Sequence, residues 1–253
     1  MQHTDFSHSS YRQMLQSFLD AGYSFNRFTE AEDLLKTEKP FVLLRHDIDF
    51  ETAAALEMAK IESEMGIRST FFFLTRSTFY NPFSIQGTCH IRNILDLGHT
   101  LGLHFDCASY REAQTEHDLG KACRQEVEML EKWFSETVDA VSYHRPSEAA
   151  MSSCAAVTEP RPHTYLPLFT RDITYRSDSR GLWANGHPLE SETWHARKPM
   201  HILVHPIWWR SDPSEPIDTL HDFSQRMHDS QELEIARNCK VFRTGQFANV
   251  LNE

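Results

Sequence analysis

Apolar positions along the chain switch repeatedly between a three-to-four-residue spacing and short continuous runs, and that alternation is its first structural signal. Tyr11, Leu15, Phe18 and Leu19 recur at helical spacing behind Ser9 and Ser10, which can cap a helix that Gly22 ends. A short helix over residues 30–36 is expected next. Pro40 then opens Phe41-Val42-Leu43-Leu44, too short for a helix and apolar on both faces, as a strand buried in a parallel sheet is. The polar run Arg45-His46-Asp47-Ile48-Asp49 is expected to carry the chain out of that strand onto a surface. Residues 51–65, rich in Ala, Leu, Met and Glu and followed by Gly66, predict a helix, and residues 69–74 a second buried strand. Together they form a β-α-β unit, for which parallel pairing and a right-handed crossover are the rule.

The alternation continues with a helix over 91–97, a strand over 100–105, a long helix over 112–136 and a strand over 140–143. A proline-containing loop over 160–167, strands over 173–177 and 201–204, and a helical tail over 214–242 complete the order. No internal repeat interrupts it. Strands alternating with helices over this length predict a parallel α/β sheet or barrel. We expect one domain over residues 1–253, with the helices of 9–36 and the tail of 214–253 packed on a core between about 41 and 209.

Charge narrows the partners. Lys and Arg number 25 against 36 Asp and Glu, a formal net charge of -11, so the field of the protein repels nucleic acid and anionic lipid. No apolar run approaches the roughly 20 residues that span a bilayer, and residues 1–10 carry no apolar signal core. Five cysteines, an odd number with no Cys-x-x-Cys pair, fit reduced thiols. These features predict a soluble, unexported, cytoplasmic protein. Histidine stands out with 15 copies, several beside acids or prolines rather than inside amphipathic helices, a bias toward metal or acid–base chemistry.

In parallel α/β folds the loops leaving the carboxyl ends of the strands converge on one mouth. Five predicted strand ends carry unusual polar groups: Asp47 and Asp49, His104 and Asp106, Arg145, Asp178, and His205. A shared site accounts for them better than scattered solvation. Residues i and i+2 of an extended chain face the same side, so Asp47 and Asp49 point into one space about 7 Å apart, and His104 and Asp106 do the same if the chain stays extended. Two ionised carboxylates held together are tolerable when a cation binds one and the other handles a proton. The competing reading of Asp49, as a cap for the following helix, leaves Asp47 unexplained. Tyr143, Trp183 and Trp208 can stack on a sugar ring, or pack in the core or rim; for Trp208 with Trp209 both readings stay open. Residues 77–86 read as a structural loop that can also border a substrate, and Cys107 as a buried spectator thiol.

At these residues the sequence resembles the polysaccharide deacetylases, the NodB-homology carbohydrate esterases of family 4, in the branch that carries Arg-His-Asp-(Val/Ile)-Asp. The resemblance runs from about Phe41 to Trp209 and rests on five motifs in order. They are Arg45-His46-Asp47-Ile48-Asp49, Gly98-His99-Thr100-Leu101-Gly102-Leu103-His104, His144-Arg145-Pro146, Asp178-Ser179-Arg180-Gly181-Leu182-Trp183 and Leu203-Val204-His205-Pro206.

The resemblance implies a distorted, incomplete (β/α) barrel, a divalent metal ion and removal of an acetyl group, N-linked more often than O-linked, from a sugar or glycan. It implies zinc, with manganese, iron, cobalt or nickel as alternatives. Asp47 is then the general base, Asp49 and His104 metal ligands, Arg145 the group that orients Asp47, His205 the general acid and Asp178 its carboxylate partner. One departure stands out: the family's His-x-x-x-His calls for a second histidine where Ala108 stands. Asp106 is the nearest replacement for the third ligand, with His99, His144 or a water as alternatives. Two other functions stay open, an inactive barrel that binds a glycan or protein and an amidohydrolase for a small non-sugar amide. Retention of Asp47, Arg145 and His205 argues against the first. The expected setting is assembly of a surface polysaccharide, with an acetylated sugar or glycan as the partner.

Overall fold

Strand β2 (Phe41–Ile48) is the spine of the structure, a computed structural model that describes residues 5–110, 116–146 and 158–243. All eight of its residues are buried, because it pairs on both sides, with β3 (Thr70–Phe73) and with β7 (Met200–Val204). Beyond β3 lie β4 (Thr100–Asp106) and β5 (Val141–His144), and beyond β7 lies β6 (Thr174–Ser177), giving the order β5-β4-β3-β2-β7-β6. Every pairing is parallel. A two-residue strand β1 (Ser24–Phe25) pairs with the start of β2 and is too short for periodicity to reveal. Among the described residues β5 does not pair with β6, so the curled sheet is an incomplete half-barrel. The expected fold class is met.

Two cores lie on opposite faces of this sheet. On the outer face Ile48, Phe71, Phe73, Leu101, Leu103, Phe105 and Val141 meet the apolar sides of helices α3 (Thr52–Glu64), α4 (Ile85–Asp96) and α5 (Glu116–Phe134). On the inner face Leu43, Phe72 and Ala140 pack with Phe28, Phe169 and Ile173. Gly102 is required there: a Cβ at this position would stand 2.5 Å from the Phe72 ring. Helix α1 (His8–Asp20) starts where Ser7 accepts a hydrogen bond from the Ser10 amide, and buries Tyr11, Met14, Leu15 and Phe18. The short helix expected over 30–36 is one turn of 3-10 helix followed by α2 (Ala31–Leu35).

Two expectations are corrected. The strand expected to stop at Leu44 continues to Ile48, because alternate residues of the polar run find partners on the two faces of the sheet. Helix α4 starts at Ile85 instead of Ile91, within the expected loop, because Ser84 caps it by accepting from the Gly87 amide at 3.1 Å. The beginning of the long helix, at 112–115, lies outside the described residues.

The chain divides into two compact units at Pro213 and Ser214. The second contains helix α6 (Pro216–Asn238), opened by proline in its first turn and carrying an Arg226–Asp222 ion pair at 3.0 Å. No helix among the described residues is long and apolar enough to cross a membrane.

Candidate active site

The alternation of β2 divides its polar run. Arg45, Asp47 and, past the strand end, Asp49 serve the inner face; His46 and Ile48 serve the outer one. Arg45 folds forward onto Asp47, with Nε 2.8 Å from Oδ1 and Nη2 2.6 Å from Oδ2, and its Nη1 donates to Thr164 at 2.8 Å. Burial opposes ionisation of Asp47, but the Arg45 guanidinium holds its carboxyl below the usual carboxylate range.

Strands β4 and β5 supply the imidazoles. Register places His104 beside Ser142 and Asp106 beside His144. His104 Nδ1 lies 2.6 Å from Ser142 Oγ, and that hydroxyl donates to Asp47 Oδ1 at 3.3 Å. With the Ser142 proton spent on Asp47, Nδ1 is the donor to Ser142, and a neutral His104 presents its Nε2 lone pair to Asp49. Nε2 stands 3.1 Å from Asp49 Oδ1, and His144 Nδ1 stands 3.2 Å from the same oxygen. Ligand atoms of Asp49, His104 and His144 all lie within 4.8 Å of one another.

Acceptors this close repel unless a positive charge, a proton or a cation, lies among them. Two imidazoles and a carboxylate, one imidazole oriented through its far nitrogen, suit zinc, manganese or iron(II) and leave coordination positions open. The donor set therefore fits a divalent metal ion. Burial opposes ionisation of Asp49 as well, but with protons rather than a cation in the cluster, hydrogen bonds from His104 and His144 hold its carboxyl far below the usual range.

On the other flank His205 follows β7. Its Nδ1 is 2.6 Å from Asp178 Oδ1, and its backbone amide donates to the same carboxylate. Asp178, fully buried, also accepts from Trp209 Nε1 at 2.8 Å. Burial lowers the pKa of an imidazole, but Asp178, with Asp49 and Asp47 in support, raises that of His205 to about 9. The far nitrogen, Nε2, is 3.9 Å from Asp49 Oδ2, so this cation faces the Asp49 cluster.

The structure thus brings Asp47, Asp49, His104, Asp178 and His205 together and places Arg145, Asp106, His99 and Tyr143 elsewhere. Arg145 pairs with Asp106 instead of Asp47, its Nε 3.1 Å from Oδ1, and it is Arg45 that grips Asp47. Asp106 accordingly lies outside the donor cluster. Its carboxylate caps the turn Cys107–Ser109 by accepting from the Ala108 amide and is neutralised by Arg145, so His144 completes the cluster. His99 is not part of it, lying with Glu62 and Ser69 among buried outer-face groups. Tyr143 points away from the cluster: with His144 turned inward, period-two alternation sends it into the outer core at 3% exposure. Trp183 packs against Phe6 and Trp209, and Trp208 lies near Phe50. Asp49 caps no helix; Glu51 precedes α3 without a side-chain cap bond.

Sequence reasoning missed Arg45 and Ser142. Counting back two residues from Asp47 and from His144 would have found both.

No family model matches the chain, and no curated protein matches it. Among solved structures it is similar to a family 4 carbohydrate esterase from Bacillus anthracis, at 14% identity over 88% of this chain and 86% of that one, with a TM-score of 0.46. The Streptococcus pyogenes deacetylase PplD, in complex with acetate, matches at 14% identity over 83% and 84%, also with a TM-score of 0.46. A family 4 pseudoenzyme from the same Bacillus species matches at 12% identity over 76% of this chain and 62% of its own, with a TM-score of 0.44. The chains this one is similar to in structure therefore include two described as deacetylase or esterase and one described as a pseudoenzyme.

Proposed function

We propose that the protein is a metal-dependent hydrolase that removes an acetyl group, N-linked in the first instance, from a sugar or glycan. The observation that carries the reading is the meeting of three metal donors, Asp49, His104 and His144, with two proton-handling groups of opposite protonation state, Asp47 and His205. A pure binding module needs no such acid–base pair.

Amides resist hydrolysis because the amine leaves poorly and hydroxide is scarce at neutral pH. A divalent cation at the cluster supplies charge that polarises the acyl oxygen and acidifies water. The protein's own groups supply the rest. Arg45 keeps Asp47 ionised and aimed, so that it can accept the proton of an attacking water. His205, protonated at neutral pH and fixed through Nδ1 by Asp178, has Nε2 turned toward Asp49 to protonate the departing nitrogen. Ser142 couples His104 to Asp47 and so keeps ligand and base in register.

The test is acetate release from N-acetylglucosamine oligomers by protein loaded with zinc, manganese or iron(II). Asp47→Asn and His205→Gln are expected to lose about 10²–10⁴-fold in kcat, the usual worth of a proton-transfer partner. Absence of acetate release with every metal, or release that both variants retain, overturns the reading.

A further inference from the structure

Three large apolar side chains on the outer helices belong to neither core. Ile85, at the start of α4, is 95% exposed, and Met129 and Trp133 on α5 are 51% and 47% exposed. Met129 and Trp133 line a groove of about 630 Å³ together with Phe83, Arg92 and Lys132. A contiguous apolar patch with a charged border marks an interface, whereas ordinary surfaces scatter such residues singly. The floor is held in place. The rings of Phe83 and Trp133 meet edge to face at 5.5 Å, the Trp133 indole donates to Thr88 Oγ1 at 2.9 Å, and Arg92 reaches the Trp133 carbonyl at 3.5 Å, which ties α4 to α5.

The charges on α5 indicate what covers this groove. Arg124, Glu128 and Lys132 follow at four-residue steps along its exposed side, and Glu136 continues the series just past the helix end. Opposite charges at that spacing can pair within a helix. Among the described residues none of the four forms an ion pair. The order plus, minus, plus, minus is complementary to itself when reversed about position 130. Two α5 helices laid antiparallel therefore set Glu128 of each copy opposite Lys132 of the other, with Arg124 level with Glu136 farther out. A two-fold interface has this reciprocity, residue i meeting j while j meets i. Met129, one residue or about 1.5 Å from the midpoint, meets its own copy at the axis. We propose that the groove is the contact face of a homodimer in which two α5 helices pack antiparallel over Met129 and Trp133. A net charge of -11 per copy makes an anionic lipid surface a poorer occupant, since it offers no cation to Glu128. The proposal is independent of the hydrolase reading.

Sedimentation equilibrium of the full chain tests it. The mass is expected to rise from 29.4 kDa toward twice that value with concentration. Met129→Glu, which sets like charges together at the axis, should abolish the dimer, and Glu128→Lys or Lys132→Glu should each weaken it about tenfold or more. Glu128→Lys also lowers the net negative charge, which by itself favours association, so weakening identifies the specific pair. The double exchange, Glu128→Lys with Lys132→Glu, rebuilds both pairs in reverse and should restore the dimer. Far-UV circular dichroism checks that each variant is folded. A monomer at every concentration into the hundreds of micromolar, a dimer that Met129→Glu leaves intact, or a double exchange as weak as the single ones overturns the proposal. So does a monomer whose tryptophan emission shifts to the blue on phosphatidylcholine–phosphatidylglycerol vesicles in the wild type but not in Met129→Glu, which gives the face to a membrane.

Discussion

Arg45 grips Asp47 from two positions back on the same strand, with Nε 2.8 Å from Oδ1 and Nη2 2.6 Å from Oδ2. Side chains at i and i+2 stand about 7 Å apart on one face, which a folded arginine spans. Asp47 and the cation that grips it therefore come from one motif, and no other strand has to supply that cation. Arg145 is released to the rim, 62% exposed, where it ties β4 to β5 through Asp106.

Removing either arginine separates the two assignments. Arg45→Met leaves a carboxylate buried without its partner and should cost about 3–5 kcal/mol of unfolding free energy. Arg145→Ala removes an exposed guanidinium from a buried carboxylate that keeps its Ala108 and Ser109 hydrogen bonds, and should cost less than the loss of Arg45. Urea denaturation followed by circular dichroism measures both. Equal losses would return the orienting role to Arg145.

The ligand set makes a second distinction. His144→Ala should lower bound metal well below one equivalent in equilibrium dialysis with elemental analysis, whereas Asp106→Asn should leave stoichiometric metal. Metal lost in the Asp106 variant and kept in the His144 variant would reinstate the assignment made from strand alternation alone.

That assignment shows where the sequence stops being legible. The order of strands and helices, the exits that carry Asp47, Asp49, His104, Asp178 and His205, and the pairing of His205 with Asp178 all follow from local pattern and motif. Alternation also placed Asp106 on the same side as His104, but not where its carboxylate would be used. That depended on Arg145, 39 residues away, and on the free Ala108 amide, two competitors for the same oxygens. Arg45 was hidden for a simpler reason: β2 was expected to end before it, and a residue outside a strand has no assigned face.

Protonation of His205 gives a third prediction. Its pKa is raised from 6.5 to about 9 by Asp178, against the opposing effect of burial. In the metal-free protein its imidazole resonances should titrate near 9, and in Asp178→Asn near or below 6.5. A raised folded-state pKa means that the stabilisation is fully present below about 6.5 and is lost as pH rises through about 9. An imidazole titrating near 6.5 with Asp178 intact would contradict the dyad.

Gly102 tests the inner packing. Its missing Cβ makes room for the Phe72 ring two positions ahead of His104. Gly102→Ala should cost about 1–3 kcal/mol as an overpacked core site. Thermal unfolding would show it; an unchanged melting temperature would mean that Phe72 can turn aside.

The outer face holds a second carboxylate that the chemistry does not use. Glu62 on α3 is fully buried, with Tyr11 of α1 donating to Oε1 at 2.5 Å, His46 Nε2 2.6 Å away, and Ser69 donating to Oε2. His46 lies between Arg45 and Asp47 in β2, so this network anchors the outer side of the strand whose inner side carries the base. Burial opposes ionisation of Glu62, but His46, His99 and the Ser69 hydroxyl hold its carboxyl below the usual range. A depressed folded-state pKa stabilises above the unfolded value near 4.5 and loses that contribution as pH falls through the folded one. Acid should therefore destabilise the wild type more steeply than Glu62→Gln. Tyr11→Phe, which removes one hydrogen bond to a buried charge, should cost about 1.5–3 kcal/mol. A cost below about 0.5 kcal/mol, within the ordinary scatter of surface substitutions, would mean that α1 packs on the sheet without anchoring β2.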